Sequence, residues 1–454
     1  MLDNPSSLWQ KTIQHLMPLW REALGNKDAL DSLTLTPDLE TSDHEQLLTW
    51  IDACIDGAGD VAARNRTAQL GRCYLELNET GRVTFFTLLC QKFDIQEQPL
   101  SELMQAWQAA DSDSRPALTR KLRHQLEPPR MVLLRQFNEL PEGVKFLVDM
   151  RAELLKLSRQ HPHLKPLEED LKRLLTSWFD VGLLQLEEIT WHSGADLLEK
   201  LIEYEAVHEI QSWNDLKNRL DSDRRCFAFF HPNMPNEPLI FVEVALVEGL
   251  AGNVQTLLDE DAPLADLNQA DSAIFYSISN TQKGLRGISL GNFLIKRVVN
   301  QLQHDFPQLK QFATLSPVPG FTQWLDNLSE EEQKTLAFSS NSEQLRQQLV
   351  QADQTEREAL KEQIEPLALA YFTQAKHPRY APFVRDPVAH FHLTNGAQLA
   401  RINWLADQSE KGLQQSLGLM VNYLYELPHI ESRSQGYTGN GDIALSAALS
   451  KHKK

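Results

Sequence analysis

Cysteine is scarce in this chain. There are four, Cys54, Cys73, Cys90 and Cys226, and none falls in a C-x-x-C pair. That excludes a disulfide scaffold and a zinc ribbon, and it suits a reducing compartment. Positive charge is also in short supply, with 44 Lys and Arg against 62 Asp and Glu and a formal net charge of -18. Nucleic acid is thereby excluded as a partner of the whole chain, because phosphate binding needs a basic footprint. An anionic ligand must instead meet a local basic pocket. No apolar run reaches the roughly 18 residues that a membrane helix needs, so no membrane partner is expected. The first residues lack the charged and apolar regions of a secretory signal and the Arg-rich character of a mitochondrial presequence. The end, Ser450-Lys-His-Lys-Lys, is not a peroxisomal tripeptide. The expected location is therefore the cytoplasm.

What is present is a globular composition, 42% hydrophobic and 23% charged over 454 residues, which is long enough for two or three domains. The fold class expected is mixed α and β: an all-α helical bundle over 1–180, then an α/β domain over 181–454. Apolar residues in the first part recur at spacings of three and four, a helix period. One stripe is Ile13, Leu16, Met17, Trp20 and Leu24, capped by Ser6 or Ser7. A second is Leu147, Met150, Leu154 and Leu157. A third runs through Leu164, Leu167, Leu171, Leu174, Leu175 and Trp178. This bundle carries no visible chemistry and reads as scaffold or oligomerisation surface.

After Val181 the pattern changes. Leu184–Trp191 alternates like a strand, and Ala195–Glu205 reads as a helix. Phe227–Phe230 and Leu239–Val247 read as adjacent strands joined by a Pro/Asn loop. Ala273–Ser279, a Gly-spaced loop, an amphipathic helix (Leu290, Phe293, Leu294, Val298, Leu302) and Phe312–Ser316 make a β-α-β crossover. A helical insertion is expected over about 340–376, followed by a return to mixed α/β.

Four constellations could carry chemistry. The loop Thr281–Gly291 sits between a strand and a helix, where glycines let backbone N–H groups approach an anion and the helix dipole favours it. Lys283 and Arg286 supply local positive charge. The loop is a pyrophosphate cradle in physical terms, without Walker or dinucleotide spacing; a plain Gly-rich turn with solvated cations is the alternative. In Thr314-Leu-Ser-Pro-Val-Pro-Gly-Phe321 two prolines stiffen the chain around Ser316, which otherwise serves as a helix cap. It is not a nucleophile elbow. In Asp386–Ala397 an H-x-H pair, His390 and His392, would place both rings on one face of a strand. With Asp386 or Asp407 that is a conceivable metal site, set against a structural histidine. Lastly, Tyr423 and Tyr425 share a face if Gly418–Tyr425 is a strand, as core or as a phenol reaching a site.

Read together, these residues resemble the malonyl-CoA decarboxylase family. The resemblance rests on blocks occurring in the family's order over roughly 180–430. They include Arg224-Arg-Cys-Phe-Ala-Phe-Phe-His-Pro, Ile274-Phe-Tyr-Ser-Ile-Ser-Asn-Thr-Gln, Gly291-Asn-Phe-Leu-Ile-Lys-Arg-Val-Val and Leu315-Ser-Pro-Val-Pro-Gly-Phe. Glu237-Pro-Leu-Ile-Phe-Val-Glu-Val-Ala-Leu, Phe391-His-Leu-Thr-Asn-Gly-Ala and Arg401-Ile-Asn-Trp-Leu-Ala-Asp complete the set. The N-terminal part matches more loosely, in Met131-Val-Leu-Leu-Arg-Gln-Phe-Asn and Gly143-Val-Lys-Phe-Leu-Val-Asp-Met-Arg.

The resemblance implies an N-terminal domain used in homo-oligomer assembly, as a tetramer. It implies a catalytic domain with the acetyltransferase-like (GNAT) fold. It places the family's catalytic Ser and His on Ser316 and His392, with supporting hydroxyls at Ser277 and Tyr425. The coenzyme A pyrophosphate falls on Gln282, Lys283, Gly284, Leu285, Arg286 and Gly287. The activity implied is a carboxy-lyase converting malonyl-CoA to acetyl-CoA and CO2, in malonate or fatty-acid metabolism. No metal and no separate cofactor is expected, coenzyme A being part of the substrate and the thioester carbonyl being the electron sink. His392 is expected to act as general acid. Two rivals share the features: an acyl-CoA N-acetyltransferase, and a non-catalytic sensor of malonyl-CoA.

Overall fold

The computed structural model describes residues 16–20, 33–288 and 290–451. The chain forms two compact units. The first holds residues up to Leu183 together with His231–Pro235 and Gln282–Ile288; the second holds Leu184–Phe230, Asn236–Thr281 and Ser289 onward. The second unit therefore begins near the expected boundary, but two short segments from its sequence, one of them the Gly-spaced loop, fold with the helices.

The first unit is all helical among the described residues. Its helices are α1 (His44–Asp56), α2 (Val61–Glu76), α3 (Glu79–Lys92), α4 (Glu97–Ala109), α5 (Arg115–Gln125), α6 (Arg130–Asn138), α7 (Gly143–Leu157) and α8 (Lys165–Trp178). The stripe on α7 is wholly buried, as are Leu167, Leu171, Leu174 and Leu175 of α8, with Leu164 just before it; Trp178 is half-buried. Of the first stripe, Leu16 and Trp20 are buried in a helical segment, while Ser6, Ser7, Ile13 and Leu24 lie outside the described residues. Gly143 sits where a Cβ would come within 1.8 Å of the Phe137 carbonyl oxygen, so only glycine lets α7 start there.

The second unit is built on an eight-stranded sheet, β1 (Gln185–Ile189), β2 (Arg224–Phe230), β3 (Ile240–Val247), β4 (Ser272–Asn280), β5 (Gln311–Thr314), β6 (Ser316–Pro317), β7 (Gln398–Asn403) and β8 (Met420–Leu424). Strands β1 to β4 run antiparallel in sequence order. Helices α9 (Ala195–Tyr204) and α10 (Trp213–Arg219) separate β1 from β2, and α11 (Val254–Leu258) precedes β4. Then α12 (Gly291–Asp305) carries the chain across to β5, which pairs with β4 in parallel. Strand β8 closes the far side against β5, β6 and β7. The expected insertion is present as α15 (Ser342–Gln351) and α16 (Gln354–Thr373), after the short α13 (Phe321–Asp326) and α14 (Glu330–Thr335).

Strand parity decides what each face carries. Ala245, Ile274, Tyr276, Ala313, Leu315 and Met420 belong to one apolar cluster with Val254 and Leu257. Register partners Phe275 and Thr314, and then Ser316 and Val421, fix the opposite face. That face presents Thr314 and Ser316 from β5 and β6, and Tyr423 with Tyr425 at the end of β8; a bulge in β4 between Phe275 and Ser277 puts Ser277 and Ser279, partners of Glu243 and Phe241, on the other face.

The His390/His392 segment is a helix, α17 (Pro387–Thr394), not a strand. Asp386 caps it, its Oδ1 accepting from the Ala389 N–H at 2.8 Å, and Pro387 takes the first helical position. Both are strong helix-start features and outweigh the short alternation of Phe391, His392 and Leu393. Residues two apart on a helix point roughly 200° apart, so the two rings diverge and the one-face metal arrangement does not exist. His390 Nδ1 lies 2.8 Å from the Tyr437 hydroxyl, and His392 turns toward the sheet. Two further helices follow β8, α18 (Ile430–Asn440) and α19 (Ala447–Ser450).

Asp386 is fully buried, and burial pushes its carboxyl up to about 6 despite bonds from Ala389 N–H and the Tyr371 hydroxyl. An aspartate raised above its unfolded value of about 3.9 binds more protons folded than unfolded between those two values. Its ionisation thus removes stability as pH rises through about 6. Asparagine caps a helix equally well and cannot ionise. Asp386→Asn should therefore gain on the wild type as pH rises from 4.5 to 7.5. Urea unfolding at the two pH values measures this; an unchanged difference between the proteins would refute it.

Candidate active site

On the polar face of the sheet, three side chains form a continuous hydrogen-bonded chain. His392 Nε2 lies 3.1 Å from Ser316 Oγ, and His392 Nδ1 lies 2.7 Å from the Tyr425 hydroxyl. The Ser316 hydroxyl donates to Thr314 Oγ1 at 2.8 Å. Its proton being used there, Ser316 accepts from His392, which assigns the ring proton to Nε2. Nδ1 then accepts from the Tyr425 phenol. The Thr314 oxygen also accepts from the Tyr423 N–H at 3.2 Å, which ties the arrangement to β8.

Each member is placed by backbone that the sequence dictates. Ser316 follows the last β4–β5 pair, and Pro317 continues a short strand that leaves β4 and pairs with β8 instead. Its hydroxyl is locked in that stretch and does not cap α13, whose N-cap position is held by Gly320. His392 stands in the last turn of α17, which ends before Gly396 (φ 80); a Cβ on that glycine would meet the Ile430 carbonyl at 2.1 Å. Tyr423 stacks on the His392 ring at 4.6 Å between centroids and 23° between planes.

The electrostatics are those of a dry site. His392 is 2% exposed, and burial alone drives its pKa down to about 3. Burial pushes the Tyr425 and Tyr423 phenols well above the usual tyrosine range. At neutral pH the chain is therefore an uncharged imidazole between a phenol and a serine, able to accept a proton at one nitrogen while releasing one at the other.

Ser277 lies outside this chain, on the opposite face of the sheet beside its partner Glu243, so the structure does not bring it to Ser316 and His392. Its hydroxyl donates to both oxygens of Glu205, each at 2.8 Å. The loop residues lie in the helical unit. Gln282 and Leu285 are buried, Lys283 and Arg286 exposed, and Lys283–Leu285 form a single 3-10 turn. Gly284 packs so tightly that a Cβ would fall 1.8 Å from the Val148 carbonyl oxygen, and Gly287 has φ 78. The N–H groups of Leu285, Arg286 and Ile288 bond to carbonyls within the loop. Those three are thus committed to the turn, so the expected cradle relies on fewer amides and more on side-chain charge. Two residues that the sequence did not single out support it. Buried Arg151 donates to the Gly284 and Arg286 carbonyls while pairing with Glu168 at 2.7 Å. Lys172 places its ammonium 3.5 Å from where a Cβ on Gly287 would stand. Spacing alone gives no signal for Arg151, Lys172 or Glu205.

Comparison with known proteins bears on these observations. The model of the malonyl-CoA decarboxylase C-terminal domain matches residues 182–454, and that of the N-terminal domain matches 93–179. Mitochondrial malonyl-CoA decarboxylase of Mus musculus is 40% identical over 356 residues, 72% of each chain. That of Rattus norvegicus is 39% identical, again over 72% of each. Among solved structures, malonyl-CoA decarboxylase from Rhodopseudomonas palustris superposes with a TM-score of 0.82 at 39% identity, covering 90% of this chain and 99% of that one. The Agrobacterium vitis enzyme gives 0.80 at 38% identity, covering 90% and 100%.

A histidine whose pKa is depressed by burial makes the fold lose stability as pH falls below about 6.5, where the unfolded chain takes up the proton. The same depression keeps the ring neutral in the folded protein. Nitrogen-15 NMR of histidine-labelled protein, with His392→Asn for assignment, should show a neutral Nε2–H tautomer at pH 5.5. An imidazolium signal at that pH would contradict the site as described.

Proposed function

Because the chain belongs to the malonyl-CoA decarboxylase family, we propose that its Ser316–His392–Tyr425 chain delivers the proton completing the reaction. The enzyme is a carboxy-lyase that converts malonyl-CoA to acetyl-CoA and CO2. Breaking the bond to the carboxylate leaves its electron pair on a thioester enolate, whose oxygen must be stabilised and whose carbon must gain one proton. The observation that carries the reading is the pair of contacts at His392, 3.1 Å to Ser316 and 2.7 Å to Tyr425.

A ring held neutral does not act from a store of imidazolium. Instead, the proton on Nε2 moves toward the enolate, directly or through the Ser316 hydroxyl, as Nδ1 takes the phenolic proton of Tyr425. No imidazolium forms in the buried site; the negative charge of the enolate passes to the Tyr425 oxygen, which burial also disfavours, so its reprotonation must follow. Solvent then reprotonates the phenol. This refines the general-acid role of His392 and gives Ser316 and Tyr425 parts in one relay.

Coenzyme A is assigned to the loop Gln282–Gly287, on the strength of Lys283, Arg286 and nearby Lys172 in a chain otherwise short of positive charge. The acetyltransferase-like reading of the second unit is supported by its antiparallel strands followed by a parallel pair with a crossover helix. Assembly into a homo-oligomer, a tetramer by family resemblance, is supported by the exposed Met104, Trp107 and Leu126 around α4 and α5. No helix among the described residues is long and apolar enough to cross a membrane. The cytoplasmic reading is supported by four unpaired cysteines, which suit any reducing compartment; the rodent relatives are named mitochondrial.

His392→Asn should lower kcat by ~10²–10⁴-fold, the usual worth of a positioned proton donor. Ser316→Ala and Tyr425→Phe should lower it too. Mass spectrometry of acetyl-CoA formed from malonyl-CoA reads the outcome, and near-wild-type turnover by His392→Asn would end this assignment.

Lys283→Ala and Arg286→Ala should raise KM for malonyl-CoA and leave kcat near wild type, since they bind the part of the substrate that does not react. Unchanged KM in both would move the coenzyme site elsewhere.

A further inference from the structure

We propose that Tyr371, in the helical insertion, is a positioning residue for the decarboxylation: its hydroxyl fixes the spacing between the segment that carries Ser316 and the helix that carries His392. The inference rests on the reading of His392 and Ser316 as the proton-delivering pair. Tyr371 stands in the last turn of α16, a helix whose buried residues all lie between Ile364 and Thr373. Tyr371 itself is 1% exposed.

The hydroxyl meets two segments. It donates to Asp386 Oδ2 at 3.2 Å, and the other oxygen of that carboxylate accepts from the Ala389 N–H at 2.8 Å. Asp386 is the N-cap of α17, and the same helix carries His392. The hydroxyl also lies against Gly320. A Cβ on Gly320 would stand 2.5 Å from the Tyr371 oxygen and 3.7 Å from Cζ. Gly320 has a negative φ of -108, so glycine is required there for space and not for backbone conformation. Phe321 and Trp324 of α13 hold the Tyr371 ring, at 5.7 and 5.2 Å between centroids. Burial and the charge of Asp386 raise the phenol above the usual tyrosine range, so it keeps its proton for the carboxylate.

Both contacts reach the reacting pair through stiff chain. Gly320 is joined to Ser316 by Pro317-Val-Pro319, and two fixed proline φ angles leave that stretch little freedom. On the other side the Asp386 cap sets where α17 begins, and with it the place of His392. A single oxygen, its proton on Asp386 and its bulk against Gly320, therefore gauges the gap across which His392 Nε2 lies 3.1 Å from Ser316 Oγ. Proton transfer needs that distance within hydrogen-bond reach. Misplacement by about 1 Å at a reacting centre costs up to ~10²-fold in rate.

The test measures kcat and KM with malonyl-CoA for Tyr371→Phe, Gly320→Ala and the pair, and for Tyr371→Phe in the His392→Asn background. Phenylalanine keeps the ring and its packing and removes only the oxygen. Tyr371→Phe should lower kcat ~10–100-fold and leave KM unchanged. Gly320→Ala should also lower kcat, because its methyl meets the hydroxyl. The pair should be no slower than Tyr371→Phe alone, since Cζ at 3.7 Å is then an ordinary contact. Changing Tyr371 should cost nothing further once His392 is asparagine. If Tyr371→Phe does not fold, Gly320→Ala in the wild-type and His392→Asn backgrounds reads the same gap, with a loss expected only in the first. Near-wild-type turnover by His392→Asn would remove the proton-delivering pair and this inference with it. An impaired His392→Asn beside an unimpaired Tyr371→Phe would overturn the role of Tyr371 alone. Equal fold-losses in both backgrounds, or additive losses in the Gly320 and Tyr371 pair, would make Tyr371 a support of the fold and likewise overturn the proposal.

Discussion

The register between β4 and β5 is the constraint on which the site depends. Phe275 opposite Thr314 puts Thr314 and Ser316 on one face and gives Ile274, Ala313 and Leu315 to the other. A slip of one residue would exchange the two sets, burying hydroxyls in the apolar cluster and exposing its side chains. The apolar set thus does more than stabilise the sheet: its burial forbids every register in which Ser316 fails to meet His392. The crossover through α12 makes the pairing parallel, and the departure of Pro317 toward β8 ends it where the functional residues begin.

Helix α17 supplies the other half. An imidazole 2% exposed has lost its water, and burial has made the charged form unfavourable. The ring remains useful because both nitrogens have partners of the right polarity. A phenol pushed high by the same burial keeps its proton for Nδ1, and a serine whose own proton goes to Thr314 accepts from Nε2. The low dielectric that makes charge costly also strengthens these neutral hydrogen bonds.

Much of this was legible in the sequence, because it was written in period-two and period-four patterns. The strands of the second unit, the crossover helix, the stripes on α7 and α8 and the shared face of Tyr423 and Tyr425 all follow from side-chain alternation. The H-x-H segment failed for a definable reason: three residues of apparent alternation competed with a complete Asp-Pro helix start, and the cap decided. Ser316, His392 and Tyr425 came from family resemblance, and their meeting required strand pairing across 109 positions of sequence, which no local pattern carries. Glu205 was invisible on different grounds. It is one of many glutamates near a helix end, and only the fold buries it against β4.

The helical unit, read from sequence as scaffold or oligomerisation surface, also shapes the loop at Gln282–Gly287 through Arg151. Its guanidinium is 1% exposed and is committed to Glu168 and to the carbonyls of Gly284 and Arg286. A buried cation is costly unless every donor is satisfied, and here the satisfaction comes from the loop's own backbone. The loop is shaped by the helices that receive it: Val148 of α7 leaves room only for glycine at 284, and Lys172 of α8 faces Gly287. With the carbonyls of 284 and 286 held inward, Lys283 and Arg286 are exposed. In a chain carrying a net charge of -18, such a local reversal of sign must be built from fixed cations. The residues that build it lie far apart in sequence, in α7, α8 and the segment between β4 and α12. The conformation of the Gln282–Gly287 loop is therefore a product of the N-terminal helices as much as of the domain in whose sequence it is written.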